Sequence, residues 1–458
     1  MREVNRATGI WALALFSGLL IPWLVQRGMF LDGVTYAAIS NNLAMGQGSF
    51  WKPHYTPTLY PVFYEHPPLV FGLQSGLFTI FGDQFWVERL YSFLSAIGVI
   101  AGMLFCTNQV LDRDKAIFAT ALSVILWISI PLVFWSFRNN MLENTSSVFT
   151  LFSVGAFLAY RKKGKAWYAI PGALFLIAAF LSKGPAATFP LIAPFLALML
   201  FREEKGSYYF YVSYGCFFML AIILYFLSDE LQTNLKGYFL SQVFPALEGK
   251  REVTTDNRFK IVGKFVMEGA LSVLLLIVIW IKQKKIALSS ASLFFLLISL
   301  SASLPLIISL KQRSYYLVPA FPFLAMATAV AISPLLSLFL RNRSSIFLKR
   351  FRLVGVASIL LVLVYSATLY GSYSRNKGLI EDAVKLSELF PRGQVFSVSK
   401  ADWEDWGFHA ILSRKGSFGL DMNREHECYL TKSPDYLPVG YKRIDEDLKE
   451  LYLLRKTQ

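Results

Sequence analysis

Ten span-like apolar stretches of this chain contain no Asp, Glu, Lys or Arg: residues 7–26, 90–111, 116–137, 144–160, 166–182, 184–201, 206–228, 286–310, 314–340 and 353–374. Each approximates the ~17–25 residues a helix needs to cross a bilayer. An eleventh, 261–281, is weaker because Lys264 and Glu268 stand near its start. The runs are apolar throughout rather than alternating, which predicts helices and excludes a membrane barrel. Only 16% of the chain is charged and 55% is hydrophobic, whereas a soluble domain carries about 25% charged residues. Disorder is excluded on the same ground. The first run is too long for a signal-peptide core and lacks a small-residue cleavage site, so it predicts a retained helix.

A net charge of +15 would suit a nucleic-acid partner if it formed one surface. It does not. Residues 371–458 hold 14 basic and 14 acidic side chains, so the whole excess lies among the apolar runs. Arg113/Lys115, Arg161-Lys162-Lys163, Arg202/Lys205, Lys282/Lys284/Lys285 and the Arg341–Arg352 cluster fall in alternate connections. This is the positive-inside bias of eleven crossings with a cytoplasmic N-terminus. It predicts that loops 27–89 and 229–260 and the tail from 371 lie outside the cytoplasm. The apolar run 67–81 is read as a helix at the membrane surface, because a further crossing would invert every later loop. The expected architecture is a polytopic all-α domain over 1–370 and a small α/β domain over 371–458. In the tail, Glu381–Leu389 has helical spacing, and Gln394–Ser399 and Glu427–Lys432 read as strands. The three cysteines, Cys106, Cys216 and Cys428, form no disulfide framework.

Chemistry is concentrated in the outside connections. No Gly-rich phosphate loop is present. The triplets Asp112-Arg113-Asp114 and Asp445-Glu446-Asp447 read as solvated charge. Asp32 stands where an N-cap is expected, ahead of a helix whose Tyr36, Ile39 and Leu43 share one side and can rest on the bilayer. Glu65 and His66 precede Pro67-Pro68, which forbid a continuous helix and hold both side chains at the boundary. They are candidate ligands for a divalent metal, although two ligands are fewer than a protein normally supplies. A lone cation, Lys183, interrupts an apolar turn. With Arg138, Arg251 and Arg313 it predicts a cationic bowl suited to phosphate.

At this point a family is recognisable. "LDGVTYA", then "EHPPL", then "FGDQFWVERLYS", "RNNMLENT", "LSKGPAA" and "KQRSYYLVPAFPFLA" resemble, in order and spacing over residues 10–330, the bacterial polyprenyl-phosphate-dependent glycosyltransferases of the GT-C fold. The lipid A aminoarabinose transferases and the dolichyl-phosphate-mannose–protein mannosyltransferases are the nearest in pattern. The resemblance implies that Asp32 is the catalytic acidic residue of the first loop and Lys183 the lysine facing the donor phosphate. Glu65 matches the acidic residue before the proline pair, and His66 replaces a common Lys. Gly33 stands where a second acidic residue is frequent, and Asn140 where Asp is frequent, with Glu143 one turn later in a substitute polar role. Tyr315 and Tyr316 join the substrate-binding set.

The expected reaction follows from the donor. A lipid phosphate leaves as an anion and needs no acid, so one base and several cations suffice; paired carboxylates are unnecessary. Asp32 is expected to act as general base in an inverting transfer from a polyprenyl-phosphate sugar to a lipid, glycan or protein acceptor. A monomer in the bacterial inner membrane with its site facing the periplasm is expected. The other class is a transporter or flippase of lipid-linked sugar, which would show charges within its spans or repeated halves.

Overall fold

The computed structural model describes residues 1–201, 206–250, 253–282 and 288–457. The chain divides into two compact units. The helical unit comprises Met1–Leu24, Ser92–Arg138 and Leu142–Leu369. The loop–tail unit comprises Val25–Tyr91, Asn139–Met141 and Tyr370–Gln458. The first long loop, read above as part of the membrane domain, thus packs with the tail.

Among the described residues, six helices are long and apolar enough to cross a membrane, or nine if each of three bent pairs is one span. This is a multi-pass membrane fold. The sequence counts eleven, and two physical features account for the difference. Runs 166–182 and 184–201 join into one apolar stretch, Ala166–Phe201, interrupted after Lys183. The Leu142–Lys163 helix falls short of the apolar requirement because its first turns are Leu142-Glu143-Asn144-Thr145-Ser146-Ser147, all buried. Glu268, which weakens the run 261–281, has a use. It lies at the 77° break between Lys260–Glu268 and Ala270–Ile279, and its Oε2 accepts from the Leu132 N–H at 3.1 Å. That N–H belongs to the first turn of Pro131–Arg138, which has no intrahelical acceptor.

Helix contacts in this unit rely on hydroxyls. Ser153 donates to the Gly172 carbonyl, Ser292 to Ala327 and Ser299 to Ala320, each at 2.8 Å. Outward, the Ser345–Leu369 helix exposes Leu353, Leu360, Leu361 and Val364, as a lipid-facing surface requires.

The loop–tail unit begins with the chain ends that leave the helical unit. Gly371 N–H donates to the Val25 carbonyl, Arg27 to Ser372 and Ser374 to Arg27, at 2.7–2.9 Å. The tail sheet runs, in spatial order, Gly419–Asp421, Val395–Ser397, Cys428–Thr431, Tyr452–Lys456 and Tyr441–Ile444. The first three strands are mutually parallel, and the last two pair antiparallel. Both expected strands and the expected helix, here Lys377–Leu389, are present. The Trp406–Gly416 helix and the other three strands of the sheet went unread. The helix Leu31–Ala44 packs on Leu69–Phe81 and on Trp406–Gly416. Leu69–Phe81 has 13 residues, about 20 Å at 1.5 Å per residue, too short to span. One core joins Met29, Val34, Ala37 and Phe78 of the loop to Ile380, Ile411, Leu412 and Phe418 of the tail.

Candidate active site

In the loop–tail unit, Asp32 occupies the first turn of Leu31–Ala44 and is half-buried. It is not the N-cap. That position is Phe30, which has no capping side chain of its own; its N–H donates instead to Asn139 Oδ1 at 2.8 Å. Asn139 thus holds the N-cap residue's own N–H at the start of this helix. The helix does not rest on lipid through Tyr36 and Ile39 either. Both are buried, because the helix lies against Leu69–Phe81 and Trp406–Gly416.

Gly33 has a steric reason to be glycine. A Cβ there would stand 1.9 Å from the Asn139 carbonyl oxygen, so the second carboxylate of similar sequences has no room. Asn140 adopts φ +53°, and its amide lies 3.4 Å from the Gly33 carbonyl and from Gln74 Oε1. The Asn-Asn pair therefore grips the start of the Asp32 helix. A "second acidic residue" at 33 or 140 is replaced by backbone contact.

Tyr55 is a site residue the sequence did not single out. It is buried, with its hydroxyl 3.4 Å from Thr35 Oγ1. Burial pushes its pKa up, the Thr35 contact opposes this, and the charges of Asp32 and Glu65 raise it further. The phenol therefore stays protonated and able to donate. It also reports that Asp32 and Glu65 act on one neighbourhood.

Glu65 and His66 do not converge. Tyr60 donates to Glu65 Oε1 at 3.2 Å, whereas His66 Nε2 lies 3.3 Å from the Tyr36 hydroxyl. His54 Nδ1 contacts the Pro61 carbonyl at 2.9 Å. Among the described residues no three His, Cys, Asp or Glu side chains gather as metal ligands. Glu65 and His66 thus contact different tyrosines, Tyr60 and Tyr36.

In the helical unit, the separate expectations for Lys183 and Glu143 merge. Their side chains form an ion pair at 2.9 Å, with exposures of 10% and 1%. Lys183 sits at the end of Ala169–Lys183, and Gly184 follows at φ +76°. A Cβ on Gly184 would meet the Tyr238 hydroxyl at 2.1 Å, so the turn that presents Lys183 depends on glycine. The Lys183 ammonium also lies 5.4 Å from the Tyr316 ring centroid. Tyr316 meets Tyr315 edge-on at 5.1 Å, and Tyr315 stacks on Trp135 at 6.0 Å. Trp135 is a second residue that sequence reading missed; no pattern in one sequence pairs it with Tyr315.

Arg138 covers the Trp23 ring at 4.4 Å. Arg313 is half-buried and precedes the short helix Ser314–Ala320. Arg251 lies outside the described residues. Both Asp-x-Asp triplets are in solvated turns: Asp112 pairs with Lys115 at 3.0 Å and Asp447 with Lys449 at 3.2 Å, in exposed positions.

Comparison with known proteins now bears on this arrangement. Residues 65–228 match the family described as dolichyl-phosphate-mannose-protein mannosyltransferase. The structure of ArnT from Cupriavidus metallidurans in the apo state superposes with a TM-score of 0.63 at 14% identity, covering 88% of this chain and 84% of that one. Its undecaprenyl-phosphate-bound form gives 0.63 at 14% identity, over 92% and 86%. The fold is that of the GT-C transferases. The apo oligosaccharyltransferase of Archaeoglobus fulgidus also matches, with a TM-score of 0.57 at 14% identity, covering 90% of this chain and 64% of that one. No curated protein matches by sequence. The resemblance first seen in the ordered loop motifs is therefore borne out by family and fold together.

Proposed function

We propose that this protein transfers a sugar from a polyprenyl-phosphate donor to a hydroxyl or phosphate of an envelope acceptor, with inversion. The observation that carries this reading is Asp32: a half-buried carboxylate, not the N-cap, in the first turn of a helix packed on Leu69–Phe81 and Trp406–Gly416, in a GT-C fold. The donor's leaving group is an anion, so the chemistry asks for a base at the acceptor and cations at the phosphate. Asp32 takes the acceptor proton. Tyr55, Glu65 and His66 orient the acceptor beside it. Lys183 meets the donor phosphate, with Arg138, Arg251 and Arg313 as further cations and Glu143, Tyr315 and Tyr316 shaping the site. Because Lys183 is already paired with Glu143, donor phosphate must share or displace that carboxylate. A preformed pair keeps the lysine oriented while the site awaits its anion. No metal is required by this scheme. The bacterial inner membrane, with the site facing the periplasm, is the setting the loop charges support.

The test is transfer from a defined polyprenyl-phosphate sugar by wild type and Asp32→Asn, with the product's anomeric configuration read by NMR. Inverted product from wild type and its loss in the variant support the reading; undiminished transfer by Asp32→Asn removes it. A periplasm-active reporter should work when fused after Arg375 and stay silent after Lys163. Activity at Lys163 reverses the orientation.

A further inference from the structure

Within the loop–tail unit lies a pocket that the transfer reaction does not use. Arg27, Arg89, Arg414 and Lys415 line it, against one carboxylate, Glu88. These cations come from both halves of the unit, and their partners are unequal. Arg414 is 4% exposed and pairs with Asp83 and with Glu88, the latter at 3.0 Å. Its Nε, also buried, has no hydrogen-bond partner. Arg89 donates to the Gly28 carbonyl. Arg27 donates to the Tyr373 hydroxyl at 3.3 Å and stacks over Phe85, while its buried Nε has no partner. The Lys415 ammonium makes no ion pair or hydrogen bond among the described residues.

Taking a cation partly out of water without an anion beside it is costly, and the half-buried Lys415 registers that cost. Burial and the neighbouring Arg414 and Arg27 push its pKa below the ordinary lysine value, which Asp83 and Glu88 do not offset. The rest of the wall is apolar, including Met29, Phe85 and Ile411. Cations beside an apolar wall suit an amphiphile with an anionic head. Chain connectivity adds the setting. Arg27 follows the end of the first span, Leu24, by three residues, and Arg89 lies in the first turn of the Val87–Val110 span. Both cations therefore lie, along the chain, within three residues of the end of an apolar helix long enough to span.

We propose that this pocket binds a phosphate group, carried by a membrane phospholipid, between Arg27, Arg89 and Lys415. Guanidinium and ammonium donors supply charge-assisted bonds to its oxygens. Val34 also lines the pocket. It lies two positions after Asp32, about 200° around the helix. The bound phosphate thus braces the Asp32 helix from behind and joins loop to tail; it does not compete for the reacting face.

The full chain, in a zwitterionic detergent, is titrated with dihexanoyl phosphatidic acid, with dihexanoyl phosphatidylcholine and with inorganic phosphate, reading the melting temperature. Phosphatidic acid is expected to raise it saturably, as any ligand of the folded state does, and the choline lipid to do little. Lys415→Met and Arg27→Gln should each weaken the apparent affinity at least ten-fold, while the donor-site cations remain intact. Inorganic phosphate acting through the same two residues would keep the site and make its source soluble. Lys415→Met also has an internal check: removing an unpaired cation should leave the ligand-free melting temperature unchanged or higher. No stabilisation of wild type, or stabilisation equal in both variants, or a lower ligand-free melting temperature in Lys415→Met, overturns the proposal.

Discussion

In the helical unit, Ser153, Ser292 and Ser299 reach backbone carbonyls on other helices, and the Lys183–Glu143 ion pair is buried. In the loop–tail unit, a guanidinium holds two carboxylates at once: Arg414 with Asp83 and Glu88. Lipid offers no hydrophobic gain for bringing helices together, so small hydroxyls and close packing serve there. Water rewards burial of Phe396, Phe408 and Phe418, and the tail can carry buried charge on top of that core. A buried ion pair in the first setting thus invites a functional reading, whereas a charge triad in the second is explained by joining loop to tail.

The contrast is sharpened most by Asp32. Asp32→Asn should reduce transfer by roughly the 10²–10⁴ of a lost general base while the melting temperature holds, since Asp32 is not the N-cap and Asn is nearly isosteric. A parallel loss of stability would make Asp32 structural.

Lys183→Met comes next, because it leaves Glu143 buried without its cation. A loss of about 3–5 kcal/mol is expected from breaking such a pair, read by denaturant unfolding. Adding Glu143→Gln should restore most of that stability. If donor-lipid binding stays weak in the double variant, the lysine serves phosphate; if binding returns with stability, the pair is structural and the contrast between the units fails.

Gly33→Ala should cost roughly 1–3 kcal/mol, the usual range for overpacking, because its Cβ meets the Asn139 carbonyl. Gly33→Asp should do no better, although it restores the acidic residue frequent in similar sequences. Wild-type stability in either variant would mean that the Asn139–Asn140 segment yields easily.

The smallest effect is on pH. His409 is 1% exposed, its Nε2 bonds the Trp403 carbonyl at 2.9 Å and its Nδ1 has no partner. Burial lowers its pKa from 6.5, more than the Trp403 bond and Asp405 raise it. Below pH 6.5 the unfolded chain therefore binds a proton the folded chain refuses, so stability is present above that pH and falls as pH drops. His409→Gln should flatten this slope in thermal melts between pH 7.5 and 5.5. An unchanged slope would assign it to other groups.

The spans, the tail and the order of the loop motifs were legible because each rests on a local pattern: a charge-free run, a period or a fixed spacing. Asp32 and Lys183 were legible as charges in unusual places. The surroundings of Glu65 and His66 were not legible, because adjacency along the chain says nothing about direction, and Tyr60 and Tyr36 give the two side chains different partners. Composition by itself determined that this chain lives in a bilayer with a charge-balanced tail, since the transfer cost of each residue is nearly independent of its neighbours. Tertiary structure alone decided that Glu143 meets Lys183 across 40 positions of chain, that Asn139 holds the Phe30 N–H at the start of the Asp32 helix, and that Arg414 ties tail to loop. Those contacts depend on which surfaces pack together, and pairing across long separations leaves no periodic trace in one sequence.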